Sequence, residues 1–254
     1  RNKPILLLTY GFAILFLILG VYIVKFMVVD KDTVISNSYN KRQDSFADYV
    51  VRGEILSSDG KVLATNKYRE DGTYYRYYPE ANTFSHAIGF ANYGKSGVEA
   101  SGNYYLLTSS ANIFERVYNT LKDEKNIGDN VITTLDYDLQ KAAYNALGSA
   151  RGAVVVMEPD TGKILAMVSK PDFDPNDMDN VWEKATKDET GEDTVLLNRA
   201  TQGLYAPGST FKVLTLLEYM RENNDYEDYS YVCKGEGIYN SVTIHCAGGK
   251  VHGE

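Results

Sequence analysis

The sequence lacks the basic surface that nucleic-acid binding requires. Its 254 residues carry 34 Asp and Glu against 26 Lys and Arg, which gives a formal net charge of −8 at pH 7. Neutralising phosphates needs clustered Lys and Arg, and the basic residues here form no stripe with interleaved aromatics. A general nucleic-acid binder is therefore excluded. Internal repeats and low-complexity tracts are absent as well, and the length suits one or two domains.

Long apolar runs are scarce too, with one exception near the N-terminus. Ile5 to Val24 contains no charged residue, and about 20 apolar residues are enough for a helix to span the hydrocarbon core of a bilayer. A secretory signal would be followed by an A-x-A-like cleavage site, which is missing, so we interpret the run as an uncleaved membrane anchor. Because Arg1 and Lys3 precede it, the positive-inside rule places the N-terminus in the cytoplasm and the residues after Asp30 outside.

Cysteine and histidine are equally rare. The sequence has two cysteines, Cys233 and Cys246, and three histidines. In an extracellular segment such a pair favours a disulfide. A zinc site is an alternative because His245 and His252 are close in sequence, but the spacing fits none of the usual C-x-x-C patterns. We favour the disulfide over free thiols and over a metal, and we expect no metal site.

Tyrosine, in contrast, is abundant, with 21 residues. A dense run comprises Tyr74, Tyr75, Tyr77 and Tyr78. The simplest interpretation is a strand or a surface patch, since tyrosine suits half-buried pleated positions. Stacking on a glycan is the alternative, because exposed aromatic patches are sometimes ligand sites.

Two pairs of β-rich runs predict hairpins. In the first, Asp59-Gly60 separates two apolar runs, and Asp-Gly favours a tight turn. In the second, the turn residues Pro159 to Gly162 lie inside the run from Gly152 to Ser169. Residues 65–130, between the hairpins, contain many Gly, Asn and Tyr. They predict short strands and loops, with a candidate helix near residues 112–122.

Two further helices are predicted. The first has Thr134 or Asp136 as its cap, carries an apolar stripe at helical spacing and closes at Gly148, a residue able to adopt the left-handed conformation. Residues 171–198 are acidic and predict a loop. The last helix, Ser209 to Glu222, is apolar on nearly all sides, which predicts that it is buried.

The segment Pro207-Gly208-Ser209-Thr210-Phe211-Lys212 carries the chemistry. Ser209 and Lys212 are three positions apart at the start of the last predicted helix, so both lie on one face. A serine hydroxyl needs an adjacent base, and a lysine in a desolvated pocket has a lowered pKa and can serve as that base. The backbone N–H of Ser209 would stabilise a developing oxyanion. Alone, the tetrapeptide also fits an N-cap serine followed by a surface lysine.

Four stretches give this tetrapeptide a wider context. In chain order they are Arg52-Gly53-Glu54-Ile55 with Asp59 to Ala64; Gly97-Val98-Glu99-Ala100 to Leu107; Thr134-Leu135-Asp136 through Phe173-Asp174-Pro175-Asn176; and Asn198-Arg199-Ala200 with Tyr205 to Lys212. Together they resemble the class B, monofunctional penicillin-binding proteins of Gram-positive type over nearly the whole chain. Ser-x-x-Lys is the nucleophile motif of penicillin-binding proteins.

The resemblance implies an α+β fold in three parts. Residues 1–29 would be a cytoplasmic flank and transmembrane helix. Residues 30–130 would be a mostly β, non-catalytic pedestal of the dimerisation type. Residues 131–254 would begin an α/β/α transpeptidase domain with an incomplete antiparallel sheet.

The implied activity is that of a peptidoglycan D,D-transpeptidase without a cofactor. Ser209 would attack the penultimate D-Ala carbonyl of a stem peptide, with Lys212 as base, and an amine of a neighbouring stem would resolve the acyl-enzyme. β-Lactams would acylate the same serine. No stretch resembles the glycosyltransferase domain of bifunctional relatives, so the resemblance implies a polytopic glycosyltransferase partner in the membrane.

Two further motifs of the family, Ser-x-Asn and Lys-Thr-Gly, are expected after Ser-x-x-Lys, and neither occurs between Lys212 and Glu254. Lys95-Ser96-Gly97 and Ser101-Gly102-Asn103 imitate them. We reject both because they precede Ser209 and fall in the expected pedestal. We therefore expect a chain truncated within the transpeptidase domain, and these 254 residues alone to be inactive.

Two other functions stay open at the level of the sequence. A membrane-anchored β-lactam sensor or a class D-type serine β-lactamase also uses Ser-Thr-Phe-Lys, although neither needs the pedestal stretches. A non-catalytic scaffold of the wall-synthesis machinery would use the pedestal alone.

Overall fold

The computed structural model describes residues 2–30, 43, 45, 47, 49–122, 124–187 and 194–253. The chain divides into two compact units, Arg1–Gly203 and Leu204–Glu254. The helices are α1 (Lys3–Lys25), α2 (Ser85–Ile88), α3 (Gly97–Ser101), α4 (Asn103–Leu106), α5 (Ile113–Leu121), α6 (Tyr137–Leu147), α7 (Met178–Lys187) and α8 (Phe211–Glu222). The strands are β1 (Val50–Val51), β2 (Ile55–Leu56), β3 (Val62–Tyr68), β4 (Tyr74–Tyr77), β5 (Asn126–Ile127), β6 (Val131–Ile132), β7 (Gly152–Met157), β8 (Ile164–Lys170), β9 (Glu236–Tyr239) and β10 (Val242–His245).

Helix α1 is the expected apolar helix. With the turn that continues it, the helix runs from Lys3 to Asp30, and its mean hydropathy reaches 2.7. None of the side chains of α1 is buried against protein. Within the described residues it is the one helix long and apolar enough to cross a membrane, which is consistent with a single-pass anchor. The polar stretch that follows it, up to Asp48, lies mostly outside the described residues.

The first predicted hairpin is confirmed and forms the centre of a four-stranded sheet with the order β4-β3-β2-β6. Strands β2 and β3 are antiparallel, with Ile55 opposite Ala64. Strand β6 then pairs with β2 in parallel. The buried side chains of Ile55, Leu63 and Leu106 belong to one apolar cluster, so the sheet and the short helices share a core.

Helix α6 and the second hairpin, β7–β8, are also confirmed. The side chain of Asp136 caps α6 by accepting a hydrogen bond from the backbone N–H of Leu139 at 2.8 Å. Strands β7 and β8 are antiparallel from Gly152 opposite Lys170 onward. Helix α6 packs on this hairpin through a small core that includes Ala143 and Ala166. The fold is therefore α+β with small, open sheets.

The loop predicted over residues 171–198 is partly wrong, because it contains α7. Met178 in this helix is buried with Phe90 and Phe173, and Val181 packs against the same cluster. Trp182 stacks on Tyr93 with 5.4 Å between ring centroids. The helix is short, and acidic residues surround its few apolar positions. Judging the segment by its overall composition therefore missed the helix.

Candidate active site

Ser209 lies in a single 3-10 turn, Gly208–Thr210, directly before α8. Gly208 has a φ of +54°, a left-handed conformation that favours glycine. Thr210 holds the turn, since its backbone N–H and its Oγ1 both donate to the Pro207 carbonyl, at 3.2 and 2.6 Å. The sequence thus forms a tight turn that presents the hydroxyl at the start of the helix that carries Lys212.

The burial that we predicted for α8 is wrong for the described chain. Phe211, Val213 and Leu214 are 55%, 61% and 58% exposed, and no residue of the helix is buried. Within the described residues of the same unit, strands β9 and β10 form a two-stranded sheet, and an isolated two-stranded hairpin is marginally stable in water. Ser209 and Lys212 are therefore close in sequence at the helix start, and both are exposed among the described residues.

The stretch that precedes the motif is fixed to the end of β8. The Asn198 Nδ2 donates to the His86 carbonyl at 3.2 Å. The backbone N–H of the buried Arg199 donates to Ser169 Oγ at 3.0 Å, and Ser169 donates to the Leu197 carbonyl at 3.2 Å. Asn198-Arg199-Ala200, quoted above for family resemblance, therefore has a structural role: its hydrogen bonds attach this stretch to His86 in α2 and to Ser169 in β8.

The two cysteines lie side by side at the open end of the β9–β10 hairpin. Cys233 Sγ is 3.3 Å from Cys246 Sγ and 3.4 Å from His252 Nδ1. A hydrogen bond from the backbone of Gly235, and then the contact with His252, lower the pKa of the Cys233 thiol to about 6. The neighbouring Cys233 raises the pKa of Cys246.

This Cys–Cys–His group offers three ligand atoms within 4.8 Å of one another. Thiolate and imidazole are ligands that suit zinc, so the group could hold a metal as well as form a disulfide. The histidine involved is His252, whereas His245 lies 3.3 Å from the Glu236 carboxylate. Spacing in sequence did not show this grouping, because the hairpin and an isolated bridge between Cys233 and Gly253 create it.

Comparison with known proteins matches two segments of the chain to two known domain families. Residues 52–131 match the model of the penicillin binding protein A dimerisation domain, and residues 152–247 match that of the penicillin binding protein transpeptidase domain. The chain belongs to the penicillin-binding proteins. Its relatives place it in class B, the group of the peptidoglycan D,D-transpeptidases named PbpA and MrdA.

Two curated relatives illustrate the extent of the similarity. The peptidoglycan D,D-transpeptidase PbpA of Mycolicibacterium smegmatis is 38% identical over 184 residues, which are 65% of this chain and 36% of the relative. The peptidoglycan D,D-transpeptidase MrdA of Escherichia coli is 31% identical over 226 residues, 73% of this chain and 35% of the relative. The chain thus spans about a third of the length of the curated relatives that it matches.

Solved structures give the same family. The D,D-transpeptidase domain of a peptidoglycan glycosyltransferase from Eggerthella lenta is 35% identical with a TM-score of 0.67, covering 81% of this chain and 45% of that one. Penicillin-binding protein A from M. tuberculosis, in its penicillin G acyl-enzyme complex, is 27% identical with a TM-score of 0.67, covering 80% and 50%.

The dimerisation domain of this penicillin-binding protein contains a buried ionic cluster that the sequence reasoning missed. Glu99 is completely buried. Its carboxylate accepts from Arg52 Nε at 2.5 Å and from Arg76 Nε at 2.7 Å, and Tyr78 donates its hydroxyl to it at 3.2 Å. Burial, followed by the Glu99 charge, raises the pKa of Tyr78 well above its ordinary value. Arg52 and Glu99 were quoted for family resemblance, but the pairing of residues 47 positions apart was not predicted.

Proposed function

We propose that this penicillin-binding protein is a serine D,D-transpeptidase that cross-links peptidoglycan stem peptides and is acylated by β-lactams. The observation that carries the proposal is Ser209-x-x-Lys212 at a helix start, inside the stretch that matches a transpeptidase domain. The M. tuberculosis neighbour is described as a penicillin G acyl-enzyme, which supports acyl transfer as the reaction. The proposed parts are residues 1–29 as anchor, 30–130 as pedestal and 131–254 as the first portion of the transpeptidase domain.

The proposed reaction has two steps. In the first, Ser209 Oγ attacks the carbonyl carbon of the penultimate D-Ala while the Lys212 amine removes the hydroxyl proton. The backbone N–H of Ser209 contributes to binding the oxyanion. The proton then passes to the departing D-Ala amine, leaving an ester on Ser209. In the second step an amine of a neighbouring stem peptide attacks that ester, and the regenerated serine takes back a proton.

A serine β-lactamase or β-lactam sensor would share the acylation step but not the rest of the molecule. The match of residues 52–131 to a dimerisation domain supports the wall-synthesis function, which also suits a polytopic glycosyltransferase as membrane partner.

The test is to treat the full-length protein with a fluorescent penicillin, digest it and locate the adduct by mass spectrometry. The proposal requires the label on the Ser209 peptide and an adduct that persists. Rapid release of penicilloate would instead indicate a hydrolase, and a label on another peptide would overturn the assignment.

We also propose that α1 anchors the protein in the cell membrane with the residues that follow it outside the cell. A cysteine introduced at Lys61, an exposed turn position, should react in intact cells with a membrane-impermeant maleimide. One introduced at Lys3, on the other flank of the helix, should react only after the cells are opened. Both variants need a background with Cys233 and Cys246 replaced by serine. Protection of the Lys61→Cys variant in intact cells would contradict this orientation.

For the cysteines we retain the proposal of a Cys233–Cys246 disulfide. The two sulfur atoms are 3.3 Å apart, and Cys233, with a pKa of about 6, is largely thiolate at neutral pH, the form that enters disulfide exchange. Peptide mapping without reductant should therefore find the two peptides linked in protein from the cell surface. Cys246→Ser should lower the urea midpoint of unfolding, since it opens the loop. Two alkylatable thiols, or stoichiometric zinc in the purified protein, would refute the disulfide.

A further inference from the structure

Helix α5, Ile113–Leu121, presents an apolar stripe to solvent. Four large side chains recur at helical spacing and therefore share one face of the helix. They are Phe114, Val117, Tyr118 and Leu121, which are 79%, 52%, 56% and 82% exposed. The apolar face of a surface helix normally packs on the core, and an exposed apolar patch marks an interaction surface. The stripe therefore requires an explanation other than folding.

The opposite face of α5 is attached to the domain. Asn119 is half-buried, and its Nδ2 donates to Asn126 Oδ1 in β5 at 3.1 Å. After the helix the chain turns back, and the backbone N–H of Glu124 donates to the Asn119 carbonyl at 2.9 Å. Turning the stripe inward would break these hydrogen bonds, so the fold itself holds the apolar side chains outward.

The end of α5 lies next to the segment through which the chain enters the domain from the apolar helix. Strand β5, which follows α5, pairs with β1, the first strand after that helix. Lys125 Nζ donates to the Ala47 carbonyl at 3.2 Å. Residues 31–46 separate Ala47 from Asp30, where the apolar helix ends, and a chain of that length spans at most about 60 Å. The stripe is therefore held within reach of any membrane that α1 crosses.

The residues beside the stripe suit the boundary between lipid and water. Lys122 is exposed, and its Nζ lies over the Tyr118 ring, 4.4 Å from the centroid. Tyrosine and lysine at the edge of an apolar surface place their polar ends at the headgroup level of a bilayer. Glu124 is also exposed and offsets one lysine charge, so burial of apolar surface, and not attraction to anionic lipid, should drive the contact.

The size of the stripe favours a lipid surface over a second protein. Its four side chains expose on the order of 400 Å², whereas each partner in a stable protein interface contributes about 800 Å². A membrane contact can be weaker, because a domain tethered to the bilayer is already at a high effective concentration there. Amphipathic helices in the interface bury their apolar face about 5–10 Å deep, a depth that side chains such as Phe114 and Leu121 can reach.

We infer that α5 is a second membrane contact, which lies on the bilayer surface with its apolar stripe inserted among the lipids. The contact limits the orientations that the dimerisation domain takes on its tether. The inference rests on the proposal that α1 is the membrane anchor, and it does not depend on the role of Ser209.

Fluorescence of the full-length protein in phosphatidylcholine vesicles tests this contact. In a background with Cys233 and Cys246 replaced by serine, Val117→Cys carries an environment-sensitive label in the stripe. Lys163→Cys carries the same label at an exposed position outside α5. We expect the emission of the Val117 label to shift to shorter wavelength and to be quenched by spin-labelled lipid. Quenching should be stronger with the spin label near the headgroup than deep in the acyl chain, because the insertion is shallow. The Lys163 label should show neither effect.

Two matched substitutions separate the stripe from other exposed apolar surface. Leu121→Asp places a charge in the stripe, and a charge is costly in hydrocarbon. The quenching of the Val117 label should then fall to the level of the Lys163 label. Ile132→Asp makes the matching change in β6, at a side chain that is 69% exposed, and should leave the quenching unchanged.

Flotation of the vesicles distinguishes failure of the contact from failure of the anchor. Protein that does not float with the vesicles would overturn the anchor, and the inference with it. Protein that floats while its Val117 label remains unquenched would overturn the inference alone. Equal quenching in Leu121→Asp and Ile132→Asp would also overturn it. So would an emission shift that requires a high density of protein in the membrane, because a second copy would then cover the stripe.

Discussion

Replacing Ser209 by alanine in the full-length protein is expected to abolish covalent labelling by penicillin. In a serine hydrolase, removing the nucleophile lowers the rate by about 10⁶, so no labelling above background should remain. The neighbouring hydroxyl cannot substitute for it, because Thr210 Oγ1 donates to the Pro207 carbonyl at 2.6 Å within the turn. Ser209 is itself exposed, so the substitution should leave the fold intact.

The measurement is a time course with a fluorescent penicillin, read on a denaturing gel, with circular dichroism to verify folding. Ser149→Ala is the matched control, since Ser149 is also an exposed serine in a turn but lies outside the motif. This variant should label at the wild-type rate. Persistent labelling of the Ser209→Ala protein would show that another residue is the nucleophile and would remove the basis of the proposed mechanism.

Replacing Glu99 by glutamine is expected to cause a large loss of stability. The carboxylate is completely buried and accepts from both Arg52 and Arg76. Breaking a buried ionic interaction by removing one partner costs about 3–5 kcal/mol, because it leaves uncompensated charge in the interior. In Glu99→Gln both guanidinium groups would keep their charge with no carboxylate between them, so the cost should lie in this range.

Urea denaturation of the full-length protein, followed by tryptophan fluorescence, measures this loss, and Trp182 lies in the same unit of the chain as Glu99. The control is Glu183→Gln, which removes a carboxylate from an exposed helical pair with Lys187, where the side chains are 58% and 73% exposed. Exposed pairs contribute about 0.5 kcal/mol or less, so this variant should unfold near the wild-type midpoint. Equal, small effects of the two substitutions would mean that Glu99 does not hold the dimerisation domain together.

Predictions from local sequence were confirmed where the residues of a turn or a helix cap determine the local backbone conformation. Asp59-Gly60 and the turn from Pro159 to Gly162 specified their hairpins, because few residue types fit such turns. Of the two predicted cap residues, Thr134 and Asp136, the structure uses Asp136 to cap α6. Helix α7 was missed because an acidic segment was judged by composition, although Met178 and Val181 have the spacing of a buried helical face.

The sequence by itself determined the apolar helix α1, the two hairpins and the position of Ser209 and Lys212 around a helix start. Each of these depends on residues close together in the chain, whose periodicity or turn chemistry is visible directly. Only the tertiary structure decided that Glu99 lies between Arg52 and Arg76, and that Cys233 meets both Cys246 and His252. It also decided that α8 is exposed in the described chain. These features depend on contacts between segments that are far apart in the chain. Such long-range contacts leave no periodic pattern in a single sequence.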